Sequence, residues 1–297
     1  MAGRMNVLGI DFGGTKVALR VEVEDGESRD DRLRIGAEEP AASVLDRTFA
    51  AAARLVAQTG PVRAVGVSTP GIVFDDRVDL APNVVGWSDL DLGGRLEAEF
   101  GATVLAVEND VKAAALAEVR EGALRDTRVG LYVNLGTGIA IAPVVEGCVL
   151  RGAHGAAGEV GYGVVGPVSE WTADAPTLEE YAGGSGLGRR VAADARVPAA
   201  DVPELVAAIA TSDAAARLWA GAVDEIARHL ITAALTCDPA RIAVGGGMTR
   251  AGAALFEPLA ARLRAALPYP PEIVLSGFGA DASLRGAVIL ARDAARV

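Results

Sequence analysis

The chain has 297 residues, 51% hydrophobic but only 4% aromatic, which is too long for one small core and points to two domains or one large α/β unit built on Ala, Val, Leu and Ile. Its net charge of −11 argues against nucleic-acid and anionic-membrane partners. Two distant cysteines, Cys148 and Cys237, and two histidines, His154 and His229, exclude a disulfide framework and a metal site built from Cys or His.

Residues 6–10 (NVLGI) read as a buried strand that ends at Asp11 and the turn FGGT. VALRVEV alternates apolar and polar residues as a second strand, and EDGESRDD follows as a turn. Residues 42–59 carry apolar side chains at helical spacing, with Gly60-Pro61 as the stop. RAVGVSTPG is a strand entering a Pro-Gly turn, TVLAVEN is another strand, and DVKAAALAEVREG is a helix ended by Gly122. The opening plan then returns: GLYVNLGTGIAIAPVVEG repeats VLGIDFGGTKVALRVEVEDG, with Asn134 where Asp11 stood. This repeat implies two related α/β domains whose glycine turns face one cleft. DAAARLWAGAVDEIARHLITAALT (helix), ARIAVGGG (strand), FEPLAARLRAAL (helix), EIVLSG (strand) and a final helix from about residue 281 complete the chain. Such alternation predicts a parallel or mixed sheet covered by helices. No apolar run is long enough to span a bilayer, and MAGRMNVLGIDFGG lacks a signal peptide's apolar segment, so a cytoplasmic location is expected.

Three glycine turns follow predicted strands: Asp11-Phe-Gly-Gly-Thr15, Leu135-Gly-Thr-Gly138 and Gly245-Gly-Gly247. Their backbone N–H groups and Thr hydroxyls suit a polyphosphate, although each turn alone also reads as a simple hairpin needing positive φ. The chain has no GxxxxGK[ST] loop, and no GxGxxG turn links a predicted strand to a helix, so neither the P-loop nor the dinucleotide reading is supported. Asp11 sets a carboxylate beside the expected phosphates, where it suits Mg²⁺ held through water. Lys16 is assigned no role. At VENDVKAAALAE a strand ends and a helix begins at once. Asn109 or Asp110 is a helix cap on one reading. On the other, Asp110 is a base for an acceptor hydroxyl and Asn109 binds a neighbouring hydroxyl.

DFGGTK, STPG, APNVVGW, VENDVKAAALAE, LGTGIA, RGAHGAAGEVGYG, LEEYAG and DPARIAVGGG follow one another in the order seen in ROK-family sugar kinases, and the chain resembles that family from about residue 6 to about residue 290. The resemblance implies an α/β fold of two actin-like (ribonuclease H-like) domains with mixed sheets. They are expected at residues 1–111, joined by the final helix 281–297, and at 112–280. It further implies ATP and Mg²⁺ as cofactors, phosphoryl transfer to a sugar hydroxyl and a homodimer. Carried over by position, Asp110 is the catalytic base, and Asn83, Asn109, Glu159, Tyr162 and Glu179 stand on the acceptor side, with Glu180 as fallback for Glu179. Gly13, Gly14 and Thr15 match the first phosphate turn. Gly136, Thr137 and Gly138 match the second, and Gly245, Gly246 and Gly247 the nucleotide-side turn.

The sequence departs from the family pattern at GEVGYG. Many members have a histidine at the position of Tyr162, followed by a cysteine-rich zinc motif. Here GVVGPVSEWTADAPTLEEYAGG contains no cysteine, so no structural zinc is expected, and Trp171 is expected to pack where zinc would tie the loop. Two readings of Tyr162 stand open: a hydroxyl toward the acceptor, or an aromatic packing residue. Ala140, where the family often has glycine, is expected to perturb the second turn slightly, and His154 to be a loop residue. The leading expectation is a kinase for a hexose or amino sugar, with a sugar-like C7-cyclitol as alternative acceptor. A non-catalytic sugar sensor is the competing class. It is disfavoured because the first turn begins at residue 11, leaving no room for a DNA-binding helix-turn-helix.

Overall fold

The computed structural model describes residues 6–24, 26–36, 38–74, 78–79, 86–87, 90–101, 103–172 and 174–296. Two compact units emerge, one of residues up to Ala117 with Arg151–Ala156 and Asp281 onward, the other of Glu118–Leu150 and Ala157–Ala280. Among the described residues no helix is long and apolar enough to cross a membrane.

The first unit runs β1 (Val7–Phe12), β2 (Lys16–Glu22), β3 (Ser28–Arg34), α1 (Ala41–Thr59), β4 (Ala64–Thr69), the short β5 (Ile72–Val73) and β6 (Val78–Asp79), α2 (Leu92–Phe100), β7 (Val104–Asn109) and the start of α3 (Asp110–Glu121). Its main sheet has the order β3-β2-β1-β4-β7. β2 is antiparallel to both β1 and β3, whereas β1, β4 and β7 run parallel. VLGIDF of β1 is buried throughout, as a strand covered on both faces must be. Leu8, Ile10 and Phe12 join Val44, Leu45 and Phe49 of α1 in one core. Val7 and Ala64 join Val288 and Ala291 of the final helix, Ala282–Ala294, in another cluster. That helix comes close because two strand residues lack side chains. A Cβ on Gly9 would lie 2.6 Å from Val288 Cγ2, and one on Gly66 would overlap the Ala287 carbonyl.

The segment expected as a turn after β2 is corrected in part. Ser28–Arg34 pairs with β2 along its whole length. It escapes an apolar-pattern reading because it is a charged edge: the Arg20 guanidinium grips Asp30 across the ladder at 2.8 and 2.6 Å, and both side chains remain at the surface. Charge on an edge strand also blocks pairing with other chains.

The second unit contains β8 (Val129–Leu135), β9 (Ile139–Val145), β10 (Cys148–Val149), α4 (Leu178–Ala182), α5 (Gly184–Ala193), α6 (Val202–Ala208), α7 (Asp213–Cys237), β11 (Arg241–Gly245), α8 (Ala253–Ala266) and β12 (Glu272–Leu275). Its sheet order is β10-β9-β8-β11-β12, with β9 antiparallel to β8 and β10, and β8, β11 and β12 parallel. Order and directions repeat those of the first sheet, as the sequence repeat implies. Leu131, Val133 and Leu135 pack with Trp219, Val223 and Ile226 of α7 and Leu255 and Leu259 of α8. Pro258 inside α8 has no N–H for the Ala254 carbonyl, and the indole N–H of Trp219 donates to that carbonyl instead at 2.8 Å. The far end of α3 is fixed by Glu118, which is fully buried. Its carboxylate accepts from the Ala123 and Gly277 N–H groups at 2.7 and 3.1 Å and from the Ser276 hydroxyl at 2.5 Å.

Candidate active site

In the first unit the candidate residues collect at the carboxyl ends of the three parallel strands, where α/β sheets place ligands. Asp11 lies beside Ser68, Ser68 beside Glu108, and Thr69 beside Asn109 in the sheet register. The Ser68 hydroxyl donates to Asp11 Oδ1 at 2.5 Å. Asp11 is buried, and desolvation pushes its carboxyl up to about 6, against the pull of the Ser68 bond and the Lys16 charge. In the first turn Gly13 N–H donates to Lys16 O at 2.9 Å, while Gly14 and Thr15 stay exposed.

At the junction of β7 and α3, Asn109 Oδ1 accepts the N–H groups of Val111 and Lys112 at 3.0 and 3.2 Å, so Asn109 caps the helix. Its amide donates to Gly71 O at 2.8 Å, and Gly71 adopts φ +91° to present that carbonyl. Asp110 is the first residue of α3, half-buried, with Oδ1 accepting Val111 N–H at 2.9 Å. Glu108 holds Asn109 N–H at 2.9 Å and pairs with Arg151 at 3.0 Å. Asn83 lies outside the described residues. Nearby, the buried Trp87 donates its indole N–H to Thr69 Oγ1 at 2.8 Å. Sequence reasoning missed Ser68 and Gly71 as supports; both stand in the STPG stretch, whose Ser-to-Asp and Gly-to-Asn bonds span dozens of residues.

In the second unit the other two turns are neighbours, at the carboxyl ends of β8 and β11, with Gly245 beside Asn134. Gly136 N–H donates to Gly138 O at 3.0 Å. The Gly136 and Thr137 carbonyls accept the N–H groups of Gly184 and Ser185, from the first turn of α5, at 2.9 and 3.1 Å. Gly246 adopts φ +89°, whereas Gly13, Gly136 and Gly138 do not use left-handed backbone, so the first two turns close hairpins without needing their glycines for positive φ. Ala140 lies in the β8–β9 ladder opposite Asn134, beyond the turn, and therefore does not perturb it.

GEVGYG lies flush against β9. The Gly158 carbonyl accepts Ile141 N–H at 2.9 Å, and any Cβ on Gly158 or Gly161 would overlap the Ile141 or Ile139 carbonyl. A bare backbone is what lets this loop approach the strand and hold Glu159 and Tyr162 beside the second turn. Tyr162 is 53% exposed, so it is not a core aromatic. Burial, then the charges of Glu159 and Glu179, push its phenol up, which puts the three groups in one neighbourhood. The following loop is closed by the Val164–Thr177 bridge and by bonds from Leu178 N–H to Gly163 O (2.8 Å) and from Arg228 to Gly166 O (3.3 Å). The expected packing of Trp171 does not occur: it is 54% exposed. His154 is exposed in its loop.

The ROK family pattern matches residues 7–294. The chain belongs to the ROK family. The kanosamine kinase of Amycolatopsis mediterranei is 32% identical over 303 residues, which cover 96% of this chain and 95% of that protein. The ROK hexokinase of Thermus thermophilus superposes with a TM-score of 0.79 at 29% identity, over 98% of this chain and 99% of the other. A ROK glucokinase from Streptomyces griseus, solved with glucose and AMPPNP, superposes with a TM-score of 0.78 at 27% identity, over 97% and 99%. This ROK chain thus shares its fold along its full described length with actin-like sugar kinases.

Proposed function

We propose that this ROK-family chain is an ATP- and Mg²⁺-dependent kinase that transfers the γ-phosphoryl group to a hydroxyl of a hexose or amino sugar. The observation that carries the reading is the turn from β7 into α3. There Asn109 caps α3 with its side-chain oxygen, and Asp110 places a half-buried carboxylate in the first turn of the same helix. Asp110 takes the proton of the acceptor hydroxyl as phosphoryl transfer proceeds. The second amide hydrogen of Asn109 and the side chains of Glu159, Tyr162 and Glu179 orient the acceptor, and Asn83 is proposed to join them. Backbone N–H groups of the turns at Gly13–Thr15, Gly136–Gly138 and Gly245–Gly247 hold the phosphates. Asp11 fits Mg²⁺: it is a hard oxygen donor whose buried negative charge the protein alone leaves under-compensated, as its raised carboxyl shows. Bound there through water, the ion would neutralise phosphate charge. The proposal includes a cytoplasmic homodimer that needs no zinc, the dimer resting on family membership alone.

The test is ADP release from ATP and Mg²⁺ over a panel of glucose, mannose, kanosamine, N-acetylated amino sugars and C7-cyclitols, each with and without a zinc-selective chelator. Chelator-insensitive turnover of a hexose or amino sugar is the expected result. Turnover confined to a cyclitol moves the acceptor class. Sugar binding without ADP formation overturns the kinase reading in favour of a sensor.

A further inference from the structure

We infer that Glu179 is a positioning residue for the second phosphate turn, so that it governs nucleotide binding before any acceptor is present. The inference rests on the kinase reading above.

Glu179 Oε2 accepts the N–H of Ile139, the residue that closes the turn, at 3.1 Å. The carboxylate lies against the turn itself: a Cβ on Gly138 would overlap Oε2 and lie 2.8 Å from Cδ. On its other side the Glu179 stem meets the acceptor loop, where a Cβ on Gly161 would lie 3.3 Å from Glu179 Cβ. The backbone of Glu179 is fixed as well. Its carbonyl accepts Gly183 N–H at 2.9 Å, and the helix it starts in is held by a capping box in which Thr177 Oγ1 accepts Glu180 N–H and Glu180 Oε2 accepts Thr177 N–H. Glu180 is thereby committed to the cap and does not compete for the turn.

One continuous stretch, residues 177–185, therefore clamps the turn at three points: Ile139 N–H by Glu179, and the Gly136 and Thr137 carbonyls by Gly184 and Ser185. Gly136 N–H is taken by Gly138 O. Among the described residues the N–H groups of Thr137 and Gly138 donate to no protein acceptor, and these are the two donors left to meet a phosphate. Glu179 fixes their direction from the carboxyl side of the turn. A negative charge this close to a phosphate is by itself repulsive. Its retention is explained by the hydrogen bond it accepts, and that gives the inference a sharp test, because an amide keeps the bond and drops the charge.

The measurement is calorimetric binding of AMPPNP with Mg²⁺, without acceptor, to the wild-type chain and to Glu179→Ala, Glu179→Gln and Gly138→Ala. Glu179→Ala is expected to weaken binding about tenfold, the loss of one backbone anchor. Glu179→Gln should bind as well as wild type or better, since its amide oxygen still accepts Ile139 N–H. Gly138→Ala, which displaces the carboxylate without removing it, should resemble Glu179→Ala while melting as a folded protein. If Glu179→Ala binds as tightly as wild type or tighter, the bond to Ile139 N–H contributes nothing to nucleotide binding and the inference is overturned. A wild-type chain that does not bind AMPPNP overturns the kinase reading and this inference with it.

Discussion

Asn109 and Asp110 divide one junction between them, and the division decides what each substitution does. Asn109 caps α3 and ties β7 to Gly71, so it is already committed to the fold. Asp110 contributes only one further bond to the cap among those on Val111 N–H, and an Asn in its place can keep that bond. Asp110→Asn is therefore expected to lower turnover by about 10²–10⁴-fold with the acceptor KM nearly unchanged, in steady-state kinetics. Turnover within a few-fold of wild type would remove Asp110 as base. Asp11 shows the opposite economy. Its carboxyl lies at about 6 instead of the usual 3.8, so in metal-free protein the folded state keeps a proton that the unfolded chain has already lost. The resulting penalty is absent below about pH 4, grows as pH rises and is complete above about pH 6, where it reaches about 3 kcal/mol. Asp11→Asn should then stabilise the metal-free protein by about 2 kcal/mol at pH 7.5, lose that gain at pH 4 and abolish turnover. Urea unfolding at the two pH values checks the first two outcomes, and equal stability at pH 7.5 would show that Asp11 carries no such strain.

At the scale of elements, what the sequence discloses follows from where each signal is written. Buried strands and long helices announce themselves by local apolar spacing, so β1, β2, β4, β7, α1, α7, α8 and the final helix are legible within a few residues of their ends. β3 is not, because its charge pattern records a partner strand and an edge. The short helices α4 to α6 have too few turns to show a period. In the candidate site, the three glycine turns and Asp110 are marked by local motifs. Ser68, Gly71 and Glu118 are not, because their partners lie 57, 38 and as many as 160 residues away. Glu118 makes the energetic point. Glu118→Ala would leave Ser276, Gly277 and Ala123 donors without their acceptor in a buried place, and should lower stability by about 3 kcal/mol. Chemical denaturation measures it. A loss under about 1 kcal/mol would mean that water replaces the carboxylate.

At the scale of the whole molecule, one topology is used twice with different chemistry at matching places. Both sheets run an antiparallel hairpin into parallel strands, yet the first carries Asp11 where the second carries Asn134. The hairpins differ too: Phe12 pairs with Val17 across four residues, and Leu135 with Ile139 across three. The first unit is also assembled from three stretches of chain, the last of them the final helix. Among the described residues Val7 and Ala64 share their core cluster with Val288, Ala291 and Ala295, and the glycines at 9 and 66 bring no side chains to that face. Among the described residues the core of the second unit takes none from that helix. Removing residues 282–297 should therefore unfold the first unit from the opposite end of the sequence, while the helices α4 to α8 keep their core. Limited proteolysis with mass spectrometry of the fragments reads this directly: cleavage within β1 to α2 and protection from about residue 157 to residue 280 is the expected pattern. Protection of β1 to α2 equal to that of the full chain would show that the sheet holds without its helix. Gly66→Ala makes the same case more gently, since its Cβ meets the Ala287 backbone and forces the helix outward at about 3 kcal/mol.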